Sequence, residues 1–301
     1  MHKHANRINH VLNFAHLHCD KNIDLDLLAG LACLSKYHFI KVFTDYVGET
    51  PINFLNRIRL ERAARLLSYH RDMKITDTAL NCGYSSVQVF SRAFSDKFDI
   101  NPREFKSTYI YQLPYLSASD INSQSSQNDY LNQVEQRLSL DNSPIRIIQQ
   151  PAIKVAYVRS ISNYGISSDI NTAVDSINYW AHKHCFLTKD TKVIGVSWDD
   201  DQLAPRTACK YDACIQVPNN FPINSDISVQ VIPGGLYATF SAPCYSTGDL
   251  PYIWRHFTKR LANSSKHESR PLQPGMGYEM FRENALDGTL YVDLYCPWHV
   301  M

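Results

Sequence analysis

Along the first third of the chain apolar residues recur at intervals of three and four, and β-branched runs are scarce. That pattern predicts helices up to about residue 112. Asp24–Leu34 reads as a short helix. Ser35 stands where the next helix would be capped, and Lys36–Val47 runs on until Gly48 stops it. Phe39, Val42, Phe43, Tyr46 and Val47 share one face of that helix, with Tyr37, Ile40, Lys41 and Thr44 on the other. The same grammar returns later. Ile75–Cys82 is followed by a turn at Gly83, a cap at Ser85 or Ser86, and a helix over Val87–Phe98. Here Phe90, Ala93, Phe94 and Phe98 point inward, and Gln88, Ser91, Arg92 and Ser95 outward. These are two helix-turn-helix units. Between them lies a helix opened by Pro51 and apolar at Leu55, Ile58, Leu60, Ala63, Leu66 and Leu67. Its Arg57, Arg59, Arg62 and Arg65 read as a solvated face paired with Glu61 rather than as phosphate ligands.

Residues 113–128 are rich in Ser, Asn and Gln and lack periodicity, which marks a linker. Residues 129–143 read as a short helix or a first strand, and the whole of 113–143 is taken as the connection. From Ile145 onward the texture changes. Short β-branched and aromatic runs predict strands at Ile153–Val158, Val193–Trp198, Ala213–Val217, Val229–Val231, Leu236–Phe240 and Leu290–Tyr295. Helical stretches at about 168–184 and 249–262 interrupt them. The expected architecture is multidomain: an all-α double helix-turn-helix domain over 1–112, then an α+β domain over 144–301.

The second domain repeats at about 82 residues. Val155-Ala156-Tyr157-Val158 echoes Tyr237-Ala238-Thr239-Phe240. Ile194-Gly195-Val196-Ser197-Trp198 echoes Met276-Gly277-Tyr278-Glu279-Met280. Tyr211-Asp212-Ala213-Cys214-Ile215 echoes Val292-Asp293-Leu294-Tyr295-Cys296. Each copy is a duplicated strand-helix-strand-strand unit, and a pseudo-twofold between copies would leave a groove.

Composition sharpens this only in part. A chain of 301 residues, 44 % apolar, suits two soluble domains. No stretch offers the ~20 apolar residues of a membrane span, and no apolar segment follows the charged start, so a cytoplasmic protein without membrane contact is expected. Eight cysteines form no Cys-x-x-Cys pair and read as reduced thiols; Cys209 and Cys214, the nearest pair, are a minor redox candidate. The net charge of +1 conceals 15 Lys+Arg against 11 Asp+Glu in 1–112, and 15 against 18 in 113–301. A basic first third suits a polyanionic partner.

The candidate chemistry is recognition. Gln88 can bond adenine bidentately and Arg92 guanine, although Arg92 could instead pair with Asp96. Tyr37 either meets a base or sugar or packs over its helix start. All four tryptophans (Trp180, Trp198, Trp254 and Trp298) fall in the second domain with Tyr164, Tyr237 and Tyr278. Glu279 stands among these aromatics, with Ser197 as its counterpart in the first copy. A carboxylate among ring faces suits a lipophilic cation; a pair with Arg282 is the competing reading. His16, His18 and Cys19 provide too few ligands for a metal site, and no Ser-His-Asp, P-loop or dinucleotide motif is visible. No metal, cofactor or catalytic residue is expected, though a hydrolase with Glu279 as base remains a rival, as does a constitutive DNA-binding protein.

Leu34-Ser35-Lys36-Tyr37-His38-Phe39-Ile40-Lys41-Val42-Phe43, Gly48, Pro51, Arg59-Leu60-Glu61-Arg62-Ala63, Cys82-Gly83-Tyr84-Ser85-Ser86, Phe90-Ser91-Arg92-Ala93-Phe94 and Asn101-Pro102-Arg103-Glu104-Phe105 resemble the AraC/XylS regulators over about residues 5–110. The resemblance implies two readers of adjacent major grooves in one monomer. It makes Lys36, Tyr37, Ile40, Lys41, Ser86, Gln88 and Arg92 the DNA-contacting set. Ile40, Val87 and Val89 are less polar than in many members, which implies more thymine-methyl contact. Val155–Arg159, Asn163-Tyr164-Gly165, Gly277–Phe281 and Tyr291–Trp298 make the second domain similar to GyrI-like effector domains, and the domain order is that of the Rob-type branch. That implies a cleft for amphipathic or cationic molecules, for which Glu279, Tyr164, Trp198, Tyr237, Trp254 and Tyr278 are the candidate lining. It also implies an activator that engages duplex DNA, RNA polymerase and a small-molecule effector.

Overall fold

The computed structural model describes residues 4–69, 73–108, 135–140, 143–161, 167–188, 191–199, 203–204, 209–222, 226–245, 249–264, 269–270, 277–283 and 289–300. Tyr164 and residues 113–134 of the expected linker lie outside them. The chain divides into two compact units, one built on the residues up to Gln112 and the other on most of the remainder.

The first unit is helical: α1 (Ala5–His18), α2 (Leu25–Leu31), α3 (Lys36–Val47), α4 (Pro51–Tyr69), α5 (Ile75–Asn81), α6 (Val87–Phe98) and α7 (Pro102–Thr108). The Asp24 carboxylate caps α2, accepting from the Leu27 amide at 2.8 Å. Ser35 holds the cap position of α3 in extended backbone, but its side chain makes no capping bond. Gly48 ends α3 with φ 86°, in the left-handed region that costs glycine least. Of the two candidate serines it is Ser86 that caps α6, accepting from the Val89 amide at 3.2 Å. At the start of α7 the Asn101 Oδ1 accepts from the Glu104 amide at 2.9 Å, and the Asn101 side-chain amide donates to the Glu104 carboxylate at 3.1 Å.

Ile8, Val11, Leu12, Leu28, Phe39, Phe43 and Phe54 form the core under the first helix pair. Phe90, Phe94, Phe98 and Phe105 pack under the second, with Phe94 tilted against Phe98 at 4.6 Å and edge-on to Phe105 at 5.1 Å. The α4 arginines depart from expectation. They are not a solvated face: Arg57 and Arg65 are buried. Arg59 donates to the carbonyls of Cys19 and Lys21, both at 2.8 Å. A buried guanidinium must be bonded to persist, and here it serves the fold. Gly83, at φ 78°, shows why: a Cβ there would stand 2.6 Å from the Cys19 carbonyl oxygen and 3.0 Å from the Arg59 guanidinium.

The second unit carries an eight-stranded antiparallel sheet of order β1-β6-β9-β8-β3-β4-β2-β5. Its strands are β1 (Arg146–Gln150), β2 (Ile153–Ile161), β3 (Val193–Ser197), β4 (Lys210–Gln216), β5 (Ser228–Ile232), β6 (Gly235–Pro243), β8 (Gly277–Glu283) and β9 (Leu290–Pro297), with α8 (Ser167–Lys183) after β2 and α9 (Leu250–Ser264) after β6. A separate short pair joins β7 (Ser269–Arg270) to β10 (His299–Val300). Each half opens with a leading strand: β1, which the sequence pattern did not resolve, and β5, which contains the expected run Val229–Val231. That leading strand is exchanged: β1 pairs with β6 of the second half, and β5 lies beside β2 of the first. Arg146–Gln150 has no clean alternation of apolar and polar residues, so periodicity alone did not reveal it.

The end of the presumed linker is also part of this unit. Leu138 and Leu140 are fully buried in the core with Phe240, Ile253, Phe257 and Leu294. Arg260 fastens the segment by donating to the carbonyls of Leu140 at 3.3 Å and Ser143 at 2.6 Å. Two leucines among polar residues carried too little pattern to announce a core segment.

Candidate functional site

The outer face of α3 presents Lys36, Tyr37 and Lys41 to solvent, with Ile40 partly covered. Tyr37 is 84 % exposed, which excludes packing over its own helix start. Lys36 pairs with Asp26 at 2.7 Å, both side chains largely in water. Such an exposed pair contributes little to stability. On α6 Gln88 and Arg92 are exposed, and Val89 stands out between them at 59 %. Among the described residues no ion pair joins Arg92 to Asp96. Ser86 uses its oxygen as a helix cap, leaving its hydroxyl hydrogen for an outside acceptor.

In the second unit, strand alternation divides the sequence-predicted residues between two faces of the sheet. Glu279 faces α9. It is 1 % exposed, and its carboxylate accepts from Tyr211 Oη at 2.7 Å and from Trp254 Nε1 at 2.7 Å. Tyr278, its neighbour in β8, points to the opposite face and stacks on Tyr295 at 4.4 Å, with Tyr237 edge-on at 5.3 Å. Trp198 is also there, donating to Asp212 at 2.6 Å beside the buried Arg159–Asp212 pair. The structure therefore brings Glu279 and Trp254 together and separates Tyr237, Tyr278 and Trp198 from them. Tyr211 was missed. It lies 68 positions from Glu279, and only the β3–β4 and β3–β8 registers carry it there.

The registers also correct the repeat. Tyr157 faces Cys214 in the first half as Thr239 faces Tyr295 in the second; Ile194 faces Cys214 as Tyr278 faces Tyr295. Ile194 is thus equivalent to Tyr278, and the counterpart of Glu279 is Gly195, not Ser197. These two equivalent residues pair directly across the β3–β8 seam, so the pseudo-twofold passes between them. A Cβ on Gly195 would stand 2.4 Å from Glu279 Oε1 and 2.1 Å from Tyr211 Oη. The glycine vacates the volume that the carboxylate and the phenol occupy. On the other side of Glu279, a Cβ on Gly277 would meet the Trp254 ring at 2.8 Å.

Burial pushes the Glu279 carboxyl above its ordinary range, opposed by the Trp254 and Tyr211 hydrogen bonds. Arg282, the competing partner from sequence, bonds Asp293 at 2.9 Å and Ser241 at 2.8 Å instead. Among the described residues no Lys, Arg or His pairs with Glu279. The minor redox candidate fares differently: Cys209 and Cys214 are unlinked and buried. Burial, with Asp212 next, holds the Cys214 thiol well above its usual range, which suppresses the reactive thiolate.

A family model described as a GyrI-like small molecule binding domain matches residues 143–297. The chain belongs to the GyrI-like family. A helix-turn-helix domain model matches residues 28–108, and the relatives of this GyrI-like chain are AraC-type transcriptional regulators. It is 33 % identical over 103 residues to "Probable transcription factor PqrA" of Proteus vulgaris, covering 34 % of this chain and 84 % of that one. It is 32 % identical over 102 residues to "HTH-type transcriptional activator RhaS" of Escherichia coli O157:H7, of which it spans only 36 % while 34 % of this chain is matched. The solved DNA-binding domain of AdpA, in complex with a target DNA, is 24 % identical over 36 % of this chain and 98 % of its own, with TM-score 0.34. The GyrI-like chain is thus a DNA-binding transcriptional regulator of AraC type with a small-molecule binding domain. No helix among the described residues is long and apolar enough to cross a membrane.

Proposed function

We propose that this chain is a cytoplasmic transcriptional activator that reads an asymmetric duplex site with α3 and α6, engages RNA polymerase, and is controlled by a cationic, amphipathic effector held at Glu279. The DNA-binding domain runs over 1–112 and the effector domain over 144–301, with Leu138 and Leu140 of the preceding segment packed into the core of the latter. The observation that carries the effector class is a buried carboxylate held by two neutral donors, with no counter-cation among the described residues. In a site of low dielectric a ligand cation supplies the missing charge, and the Trp254 indole, already beside the carboxylate, offers it a ring face. A cation at the carboxylate would stand against the Trp254 indole, which couples the ligand to α9.

On the DNA side Lys36, Lys41 and the Ser86 hydroxyl serve phosphates. Tyr37, Ile40, Gln88 and Arg92, with Val89 among them, serve sugars and base edges. The two reading helices would meet successive major grooves about 34 Å apart. Titration calorimetry with a lipophilic quaternary ammonium and its neutral carbon isostere tests the effector class. Tight binding of the cation, lost in Glu279→Gln, is the expected result, and equal binding of both molecules would overturn it. Footprinting tests the DNA reading: a monomer should protect one face of an asymmetric site, and protection of a palindrome by a dimer alone would refute it. In-vitro transcription with and without the cation then decides activation against repression.

A further inference from the structure

α4 carries a buried ion chain that touches both reading helices. Glu61 is 1 % exposed and Arg57, one turn before it, 7 %. Arg57 Nη1 donates to the two Glu61 oxygens at 3.1 and 3.3 Å, and Lys97 Nζ donates to Glu61 Oε1 at 3.0 Å. In the other direction Arg57 donates through Nη2 and Nε to Glu49 Oε1 at 2.7 and 2.9 Å. Glu49 directly follows Gly48, which ends α3, and Lys97 is the last residue but one of α6. A continuous line of charge-assisted bonds therefore runs from the end of the first reader, across α4, to the end of the second.

We propose that the Glu49–Arg57–Glu61–Lys97 chain sets the separation of the two reading helices and thereby selects the spacing of the half-sites this protein accepts on DNA. Apolar attraction is non-directional and by itself does not name a register between helices. Bonds to buried charges are directional and strong where water is excluded, and their best-attested use is to hold a register. DNA makes register consequential, because one inserted base pair moves a half-site by about 3.4 Å and rotates it around the duplex. The residues of the chain lie beneath the readers, so they are positioning residues, not base contacts.

This inference rests on the two-reader reading, and one experiment separates the two. The full-length protein is used to select from a random duplex library, and the selected half-sites are then rebuilt one base pair closer and one farther. Wild type is expected to recover two motifs at a single spacing and to prefer it about tenfold over the altered spacings, a difference of about 1.4 kcal/mol. Lys97→Met keeps the aliphatic stem on a side chain that is 20 % exposed and leaves Glu61 its Arg57 partner, so the fold is expected to persist. In this variant the same half-motifs should be recovered with the spacing preference reduced to about threefold or less. Glu61→Gln should relax it further; if that variant melts below the assay temperature, Lys97→Met decides alone. An unchanged single spacing in Lys97→Met overturns the proposal. A single half-motif from wild type would instead overturn the two-reader reading.

Discussion

Gly195 lies directly opposite Glu279 across the β3–β8 seam, and its missing side chain makes room for the carboxylate that Tyr211 and Trp254 hold. Two structurally equivalent positions of a duplicated sheet have thus become complementary: one supplies the charge and the other the space. Gly195→Ala tests this. Its backbone is not in the left-handed region, so the cost is steric alone. Overpacking a buried seam should destabilise the second unit by about 1–3 kcal/mol. Displacement of the carboxylate should weaken binding of a quaternary ammonium about tenfold or more. Thermal unfolding and calorimetry read the two effects separately; loss of stability with cation affinity intact would show that the glycine does not position Glu279.

The pH dependence follows from the same carboxylate. Its folded pKa is raised above the ordinary 4.5, so the folded state favours the protonated form. The stabilising contribution is fully present below the unfolded value and is lost as pH rises through the folded value. Glu279→Gln, which has no charge to bury, should therefore gain stability relative to wild type as pH rises above the ordinary 4.5. Cation binding needs the ionised form, so wild-type affinity should fall on acidification while the pH is still above 4.5. Paired melting and binding curves check both. A flat difference in melting temperature would mean that Glu279 titrates as an ordinary carboxylate.

Arg92 and Arg59 should separate reading from folding. Arg92→Ala should leave the melting temperature unchanged, relax base preference and cost about 1–3 kcal/mol on the selected site. Arg59→Ala removes donors to the Cys19 and Lys21 carbonyls. It should lower the stability of the first unit by about 1–3 kcal/mol for the carbonyls left unpaired. The slope of log affinity against log salt should stay at its wild-type value, because Arg59 meets no phosphate. A slope reduced by about one would make it a phosphate ligand after all.

The exchanged strands bind the two halves of the second unit to each other. A fragment of residues 135–226 lacks β5, the neighbour of β2, and leaves β1 without β6. It should show no cooperative thermal transition by circular dichroism, and mixing it with a fragment of residues 227–301 should restore one. Independent folding of either half would show that the exchange is dispensable.

Much of this was legible in the chain. The helices of the first unit were, because each buried face is written locally at three- and four-residue spacing and bounded by residues with their own backbone chemistry, such as Gly48, Pro51 and Gly83. The α8 and α9 helices and most strands were legible for the same reason, and so was the candidacy of Glu279, an acid in an otherwise apolar run. What could not be read depends on partners remote in sequence. Glu279 and Tyr278 are adjacent in the chain and both buried, and nothing local says which rings share the carboxylate's face. Alternation sends Tyr278 to the other side, and only strand register brings in Tyr211. The α4 arginines likewise read as solvated because charge normally seeks water; the pairing with Glu61 was legible and holds for Arg57, but the Cys19 and Lys21 carbonyls and the Glu49 carboxylate come from other parts of the chain. The sequence by itself determined most of the elements and the outward residues of the readers, which rest on short-range periodicity, and the two families of likeness, which rest on its motifs. The tertiary structure alone decided which charges are paired, which rings meet and which glycine answers Glu279, because hydrogen-bond partners are chosen by distance in space and not along the chain.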